Sequence, residues 1–482
     1  MVFSSPIFLY LFLPLVIGLY LLAPKRWRNG VLLASSLVFY WTGGNNHIWV
    51  LVCSIVANYA LGVALGAEPL PVERRKILIL ALVVNLTLLF YYKYANFAVR
   101  QVNQVAGYKV ISSPGIMLPI GISFFTFQAL SYVIDVYAGR VAVQKNILNF
   151  ALYIALFPQL IAGPIVRYRD VAAQIRERLH SLDKFHSGLV RFAIGLAKKV
   201  VIANTLGAVA DAVLQLKAEQ VTMPVAWFGI GCYAFQIFYD FAGYSDMAIG
   251  LGRMFGFEFL ENFNYPYTSK SIMEFWRRWH ISLSTWFRDY LYIPLGGNRF
   301  SPARHYGNLL LVFALCGFWH GASWNFLVWG LWHGAFLIIE HTPLRRGLDR
   351  LPAPFRHLYV ILVVCVGWAV FRINGIPQAA GFIGCMFDFG VVSPAAIDLG
   401  EFLNLKTGLV FAAAALFAMP VAPWINAAWG RRRADPALTP AMRGVYALVD
   451  EISGGLVVVG LIIISALALA SSGFNPFIYF RF

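Results

Sequence analysis

A histidine in the second half of the chain lies between two strongly apolar runs, where an ionisable side chain is costly. It is His320, in the segment Phe318–Ala322, and Trp319 precedes it. An ionisable residue at membrane depth is a functional hypothesis by default, because its burial in lipid is unfavourable. A neutral imidazole there could act as a general base near pH 7. The spacing alone leaves a second interpretation equally open, in which the ring hydrogen-bonds a neighbouring helix for packing.

The same dipeptide returns as Trp332-His333. His320 and His333 are not four residues apart, so they do not match the helical histidine pair of zinc sites, and we expect no metal site. We interpret His333 as a structural residue or as a support for the site.

A second candidate is the aromatic and basic segment Phe275–Tyr290. Helical spacing predicts one amphipathic helix with an apolar face made of Trp276, Trp279, Leu283, Trp286 and Tyr290. An adjacent stripe holds Arg277, His280, Ser284 and Arg288, and Arg278 lies within the same segment. The favoured interpretation is a helix at the lipid headgroups with its arginines reaching into water. Alternatively, the cations steer a phosphate-bearing donor and His280 orients a substrate or His320.

Two acids and a glycine form the third candidate, in Tyr239–Asp246 at the end of an apolar run. Asp240, Gly243 and Asp246 indicate either a helix break that lines a polar cavity or residues that cap and link helices. The chain ends in an aromatic tail, 474–482, which composition alone describes as an interfacial anchor.

These residues are embedded in a membrane protein. The 482 residues are 60% hydrophobic and 12% charged, with a mean hydropathy of +0.68, whereas soluble domains carry about 25% charged residues. No polar insertion is long enough to fold alone, so we predict one membrane domain over residues 1–482. The net charge of +16 fits cytoplasmic loops and anionic lipid, and we expect no nucleic-acid partner.

Charge and hydropathy together predict an all-α polytopic fold with about ten to twelve crossings. Lys25, Arg26 and Arg28 follow the first apolar run, which places the N-terminus outside. The run 150–165 has basic residues on both sides and is interrupted by prolines, so we predict a re-entrant segment that lines a cavity. The runs 309–320 and 324–339 are either two crossings or one re-entrant hairpin.

Motifs in one consistent order resemble the membrane-bound O-acyltransferase family, closest to its bacterial alginate O-acetylation branch. They are 92–97 (YKYANF), 118–124 (LPIGISF), 160–164 (LIAGP), 239–250 (YDFAGYSDMAIG), 275–286 (FWRRWHISLSTW), 295–299 (LGGNR) and 319–321 (WHG). The resemblance implies crossings arranged around thinned, re-entrant helices, with two opposed funnels that meet near a catalytic histidine. It also implies that His320 is this histidine and that His280 is the second histidine of the family.

The resemblance further implies a reaction at the bacterial inner membrane. A cytoplasmic thioester, acetyl-CoA or an acyl carrier, supplies the acetyl group, and its phosphates meet Arg277, Arg278 and Arg288. Ser284, Trp319, Asp240 and Asp246 are expected to bind the donor or line the cavity. No cofactor is permanently bound. A periplasmic O-acetyltransferase then modifies an extracytoplasmic polysaccharide.

The tail carries one more resemblance. Tyr479 matches the C-terminal motif of a small partner peptide of teichoic-acid D-alanylation, whose tyrosine is proposed to accept an acyl group. Thiols have a pKa of about 8.5 and phenols of about 10, so transfer from thioester to aryl ester to sugar ester can run downhill. We therefore predict a possible acyl relay through Tyr479.

Two functions from other classes compete with acyl transfer. A secondary transporter or proton-coupled flippase would use Asp240, Asp246 and His320 as a proton path, but the chain shows no internal repeat. A membrane scaffold for a polysaccharide synthase would not need His320 at all.

Overall fold

The computed structural model describes residues 1–43, 47–390, 394–433 and 438–471. The aromatic tail 474–482, including Tyr479, lies outside the described residues. Within the described part, every regular element is helical, so the structure confirms the predicted all-α fold.

Eight helices make up the N-terminal part of the chain: α1 (Leu13–Leu22), α2 (Arg28–Gly43), α3 (Ile48–Ala67), α4 (Pro71–Ala106), α5 (Ile122–Tyr137), α6 (Ile147–Ala155), α7 (Phe157–Leu160) and α8 (Tyr168–Arg176). Seven follow in the middle: α9 (Leu182–Ala197), α10 (Asn204–Leu214), α11 (Met223–Met254), α12 (Ile272–Arg278), α13 (Ile281–Phe287), α14 (Pro302–His320) and α15 (Trp324–His341). The rest of the described chain forms α16 (Leu344–Arg350), α17 (Ala353–Arg372), α18 (Ile376–Met386), α19 (Leu405–Phe417), α20 (Val421–Arg433) and α21 (Pro440–Ser471).

Five helical segments in the described residues are long and apolar enough to cross a membrane: Ile48–Ala67, Pro71–Ala106, Leu182–Leu214, Ala353–Arg372 and Gly454–Ser471. A sixth results if α19 and α20, which meet at a bend of 58°, form one span. This finding confirms a polytopic membrane protein. The number of such helices is smaller than the ten to twelve crossings that we predict. Several predicted crossings correspond to shorter helices, among them α5, which is buried on nearly every side by other helices.

The predicted interruption of the run 150–165 is present. Helix α6 ends at Ala155, Leu156 adopts a non-helical conformation, and Pro158 follows within the short α7. Protein buries this segment and supplies hydrogen-bond partners for its freed backbone: Phe157 N donates to Ser36 Oγ at 3.1 Å and Ile165 N to Ser282 Oγ at 3.0 Å. Broken backbone at membrane depth needs such partners, because lipid offers none.

Helix α11 is unbroken from Met223 to Met254, so the structure excludes the first of the two alternatives for Asp240–Asp246, a helix break. Gly243 instead permits close packing: a Cβ atom there would lie 2.7 Å from the carbonyl oxygen of Gly195 on α9. The two acids link the same helices, the alternative that the sequence left open. Asp240 pairs with Lys199 at 2.7 Å, and Asp246 pairs with Arg191 and Lys198, both at 2.6 Å.

Candidate active site

His320 is the last residue of α14 and lies on the wall of a partly open cavity of about 200 Å³. Only 7% of the residue is exposed. The cavity is also lined by Lys93, Trp319, Ile161 and residues 118–124. Ile161 belongs to the interrupted segment, which confirms that this segment lines a cavity. Of the predicted site residues, Trp319 and His320 form part of the wall.

Aromatic rings surround the imidazole of His320. The centroid of its ring lies 5.0 Å from Trp319, 5.2 Å from Trp329 and 5.3 Å from Phe371. Trp329 also contacts the ring of His333 at 5.2 Å, and His333 is fully buried. His333 therefore packs behind the cavity wall, in agreement with its interpretation as a structural or supporting residue.

Two side chains of α4 hold the end of α14. Lys93 Nζ donates to the carbonyl oxygen of Trp319 and, at 3.2 Å, to Ser123 Oγ. Tyr94 OH donates to the carbonyl oxygen of Phe318 at 2.8 Å. The last carbonyl groups of a helix lack intrahelical partners, and a cation at this end is electrostatically favourable. Both residues fix the backbone that carries His320.

Lys93 lines the site but is not among the site residues predicted from the sequence. Its signal was present, because a lysine within an apolar run is as costly as the histidine that we singled out. In the described residues no carboxylate lies within ion-pair distance of its ammonium group, whose acceptors are uncharged oxygens. Lys93 thus brings a hydrogen-bond donor to the cavity.

The single amphipathic helix predicted for Phe275–Tyr290 is wrong. Two short helices, α12 and α13, meet at a break, where His280 has a left-handed conformation with φ 45° and ψ 55°. This conformation costs a non-glycine residue about 1–3 kcal/mol, so the surroundings must enforce it. The predicted apolar face, from Trp276 to Tyr290, is buried in the protein at 8% exposure or less, so this face contacts protein and not lipid headgroups.

The break turns the imidazole of His280 into the protein beside the cavity wall. Its centroid lies 4.5 Å from Phe241 on α11 and 6.2 Å from Trp319. Its Nδ1 is 3.2 Å from Oδ1 of Asn262. His280 and His320 therefore both contact the indole of Trp319, and the structure brings together three of the residues that the sequence indicated.

The predicted donor-binding residues do not share one surface. Arg277 lines a second cavity of about 310 Å³ together with Lys270, Arg345 and Arg356. Arg278 pairs with Glu274 at 2.8 Å, Arg288 pairs with Asp289 at 2.8 Å, and Ser284 Oγ donates to the carbonyl oxygen of Trp279 at 3.5 Å. The break after Trp279 is the reason, because it separates the residues of α12 from those of α13.

The geometry suits a proton transfer shielded from water. A buried imidazole at the wall of a cavity can take a proton from a hydroxyl group, and a nearby ammonium group can stabilise negative charge that develops on oxygen. Exclusion of water strengthens both effects and protects a reactive ester from hydrolysis.

Comparisons with known proteins agree with this chemistry. The model of "MBOAT, membrane-bound O-acyltransferase family" matches residues 80–346, a range that contains Lys93, His280 and His320. A probable alginate O-acetylase AlgI of Azotobacter vinelandii is 41% identical over the full length of both chains. The peptidoglycan O-acetyltransferase of Helicobacter pylori is 34% identical over 84% of this chain and 83% of its own. The teichoic acid D-alanyltransferase of Bacillus subtilis is 30% identical over 44% of this chain and 56% of its own.

Proposed function

The chain belongs to the membrane-bound O-acyltransferase family, and from this premise we propose that it moves an acetyl group across the bacterial inner membrane. The donor is a cytoplasmic thioester, acetyl-CoA or an acyl-carrier thioester, and the acetyl group serves the O-acetylation of an extracytoplasmic polysaccharide such as alginate. The observation that carries the proposal is the buried imidazole of His320 on the wall of a cavity. The likeness to a probable alginate O-acetylase over the whole chain supports the choice of acyl group and polymer.

In the proposed reaction, His320 takes the proton of an acceptor hydroxyl group. The hydroxyl oxygen attacks the carbonyl carbon of the thioester, and Lys93 stabilises the negative charge on the carbonyl oxygen. The carbon–sulfur bond then breaks, and the leaving thiolate takes the proton from the imidazolium group of His320. The histidine returns to its neutral form, and the acetyl group is bound to the acceptor oxygen.

The donor's phosphates are placed at the basic pocket of Lys270, Arg277, Arg345 and Arg356. These four cations surround one cavity, which two acids, Glu274 and Asp349, also line. The excess of positive charge attracts phosphate. Among the three arginines predicted for this task, Arg277 is the one that lines this pocket.

Tyr479 is proposed as the first acceptor on the outer side. Its phenol oxygen would carry the acetyl group to a periplasmic O-acetyltransferase, which would transfer it to the polysaccharide. A Tyr479→Phe variant removes only the acceptor oxygen, so the polymer should lose its acetate while the protein stays in the membrane. Unchanged acetate on the polymer would exclude Tyr479 from the reaction.

The test of the proposal is a His320→Ala variant, with His341→Ala as the matched control. His341 is an exposed histidine at the end of α15. We expect His320→Ala to abolish the transfer of radioactive acetyl groups from acetyl-CoA in permeabilised membranes, at unchanged protein abundance, while the control keeps wild-type activity. Full activity of His320→Ala would contradict the proposal and fit a scaffold, whereas gradient-driven uptake without covalent transfer would fit a transporter.

A further inference from the structure

The side-chain amide of Asn262 lies at the centre of a buried hydrogen-bond network beside His280. Its Oδ1 is 3.2 Å from the backbone N of Ser282, 2.9 Å from Ser282 Oγ and 3.2 Å from His280 Nδ1. Its Nδ2 donates to Ser245 Oγ on α11 at 3.1 Å. Asn262 is 1% exposed. A single amide therefore joins α11 to the break between α12 and α13.

The network fixes which atom of the amide faces the histidine. The backbone N–H of Ser282 can only donate, so the atom that it meets must be the amide oxygen and cannot be the amide nitrogen. The Nδ1 atom of His280 contacts that same oxygen, and an acceptor requires a donor opposite it. Nδ1 of His280 therefore carries a proton, and in a neutral imidazole the lone pair is then on Nε2.

The Nε2 atom of His280 is the open end of this network. It is buried, and in the described residues it has no hydrogen-bond partner. A buried acceptor without a partner is unfavourable, so such an atom needs an explanation. His280 lies directly behind the cavity wall, because its ring contacts Trp319 and Trp319 lines the cavity. A substrate that reaches between these two rings can supply the missing donor.

We propose that Asn262 is a positioning residue that fixes the tautomer and orientation of His280. It thereby keeps Nε2 as a hydrogen-bond acceptor for a second donor group of the bound substrates, because the proton of the attacking hydroxyl group goes to His320. This inference rests on the proposed function, because it assigns the occupant of Nε2 from the proposed reaction.

The backbone of Asn262 contributes to the same task. Its carbonyl oxygen accepts from Ile281 N at 2.9 Å, and Asn264 N donates to the carbonyl oxygen of Arg278 at 2.9 Å. These two bonds flank His280 and hold its left-handed conformation. Ser282 Oγ, which donates to Asn262, also accepts from Ile165 N of the interrupted segment. Asn262 therefore orients both the backbone and the ring of His280.

The first test compares Asn262→Asp with Asn262→Leu in permeabilised membranes, using acetyl-CoA as the probe. An aspartate keeps an oxygen opposite Nδ1 but adds a charge that favours the protonated ring. We expect the acid limb of the pH–rate profile to move to higher pH by about one unit or more. A leucine removes the acceptor, so we expect kcat to fall by a factor of about 10–100 at an unchanged KM for acetyl-CoA. Two titratable groups act on this pair of histidines: His320 acts on His280, and Lys93 acts on His320.

The matched control is Asn85→Leu. Asn85 is also a buried amide with satisfied hydrogen bonds, to Asn58 and to the carbonyl oxygen of Ala81. This control measures what the loss of a buried amide does to folding. A merely structural role of Asn262 predicts that all three variants lose activity in proportion to folded protein, with no movement of the acid limb. That result would overturn the inference.

The second test does not depend on turnover. Nitrogen-15 NMR of the wild-type protein with labelled histidine, compared with a His280→Gln variant, identifies the signals of His280. We expect a protonated Nδ1 and an unprotonated Nε2, and we expect this preference to be lost in Asn262→Leu, which removes the acceptor opposite Nδ1. An Nε2-protonated ring in the wild type would refute the inference. If the wild type transferred no label from acetyl-CoA while the NMR result held, the proposed donor would fail and the role of Asn262 would stand.

Discussion

A methyl group added at Gly317 should displace His320 without touching it. Gly317 lies on α14 one turn before the histidine, where this helix crosses α15. A Cβ atom there would lie 3.2 Å from the Cα atom of Gly330 and would collide with the backbone carbonyl oxygen of Phe326. Neither atom can rotate away, because both belong to the backbone of a helix.

The size of the effect follows from this geometry. Comfortable contact between non-bonded atoms begins near about 3.5 Å, so the two helices must separate by on the order of 1 Å. Overpacking of this kind costs about 1–3 kcal/mol of stability. A displacement of about 1 Å at a catalytic group can cost a factor of about 100 in rate. We therefore expect Gly317→Ala to insert into the membrane and to lose most of its acetyl transfer.

Gly307 provides the control on the same helix. A Cβ atom there meets nothing within 4 Å, and alanine favours a helix more than glycine does. Both variants are measured for membrane abundance, thermal unfolding and transfer of radioactive acetyl groups from acetyl-CoA. If Gly317→Ala were as active as Gly307→Ala, the contact between α14 and α15 would not position His320, and the reasoning would be refuted.

Three further perturbations follow from the contacts. Lys93→Met should lower acetyl transfer by a factor of about 10–100, because it removes the charge and the hydrogen bonds at the end of α14. Lys76→Met, at an exposed lysine of the same helix, should leave the transfer unchanged. Equal activities of the two variants would exclude a role for Lys93. Asp246→Ala should lower the stability measured by thermal unfolding by roughly 2 kcal/mol, less than for a fully buried pair because its cationic partners are partly exposed. Glu261→Gln should change this stability little, because the carboxylate of Glu261, which also pairs with Arg191, is half exposed. Arg277→Ala should raise the KM for acetyl-CoA several-fold at an unchanged kcat, and an unchanged KM would place the donor's phosphates elsewhere.

Properties that depend on local sequence were predictable. The alternation of long apolar runs with basic clusters indicates helices in a bilayer, because no other regular element except a closed barrel satisfies its backbone there. Pro158 and Pro164 likewise indicate that the run 150–165 cannot be one helix, since proline removes a backbone donor. The position of His320 was also indicated by local sequence, because an imidazole among apolar residues is costly.

The prediction from helical periodicity failed where tertiary contacts determine the backbone conformation. The residues from Phe275 to Tyr290 have a regular apolar spacing, yet the chain breaks at His280. Bonds from Asn262 and Asn264, which lie 14 to 20 residues earlier in the chain, hold that break. No spacing within the segment could reveal them. The acids of α11 had two open interpretations that only packing could separate, because Gly243 serves a helix contact there and does not end the helix.

The sequence by itself determined that this protein resides in a membrane, that it is helical and which family it belongs to, because these properties depend on composition and on short motifs. Only the tertiary structure decided which polar groups meet. Lys93, the pair Asn262 and His280, and His320 come from three separate parts of the chain, and their contacts arise from how the helices pack. The reactivity of a charged group or an amide depends on the groups within a few ångströms of it, and the fold determines which groups those are.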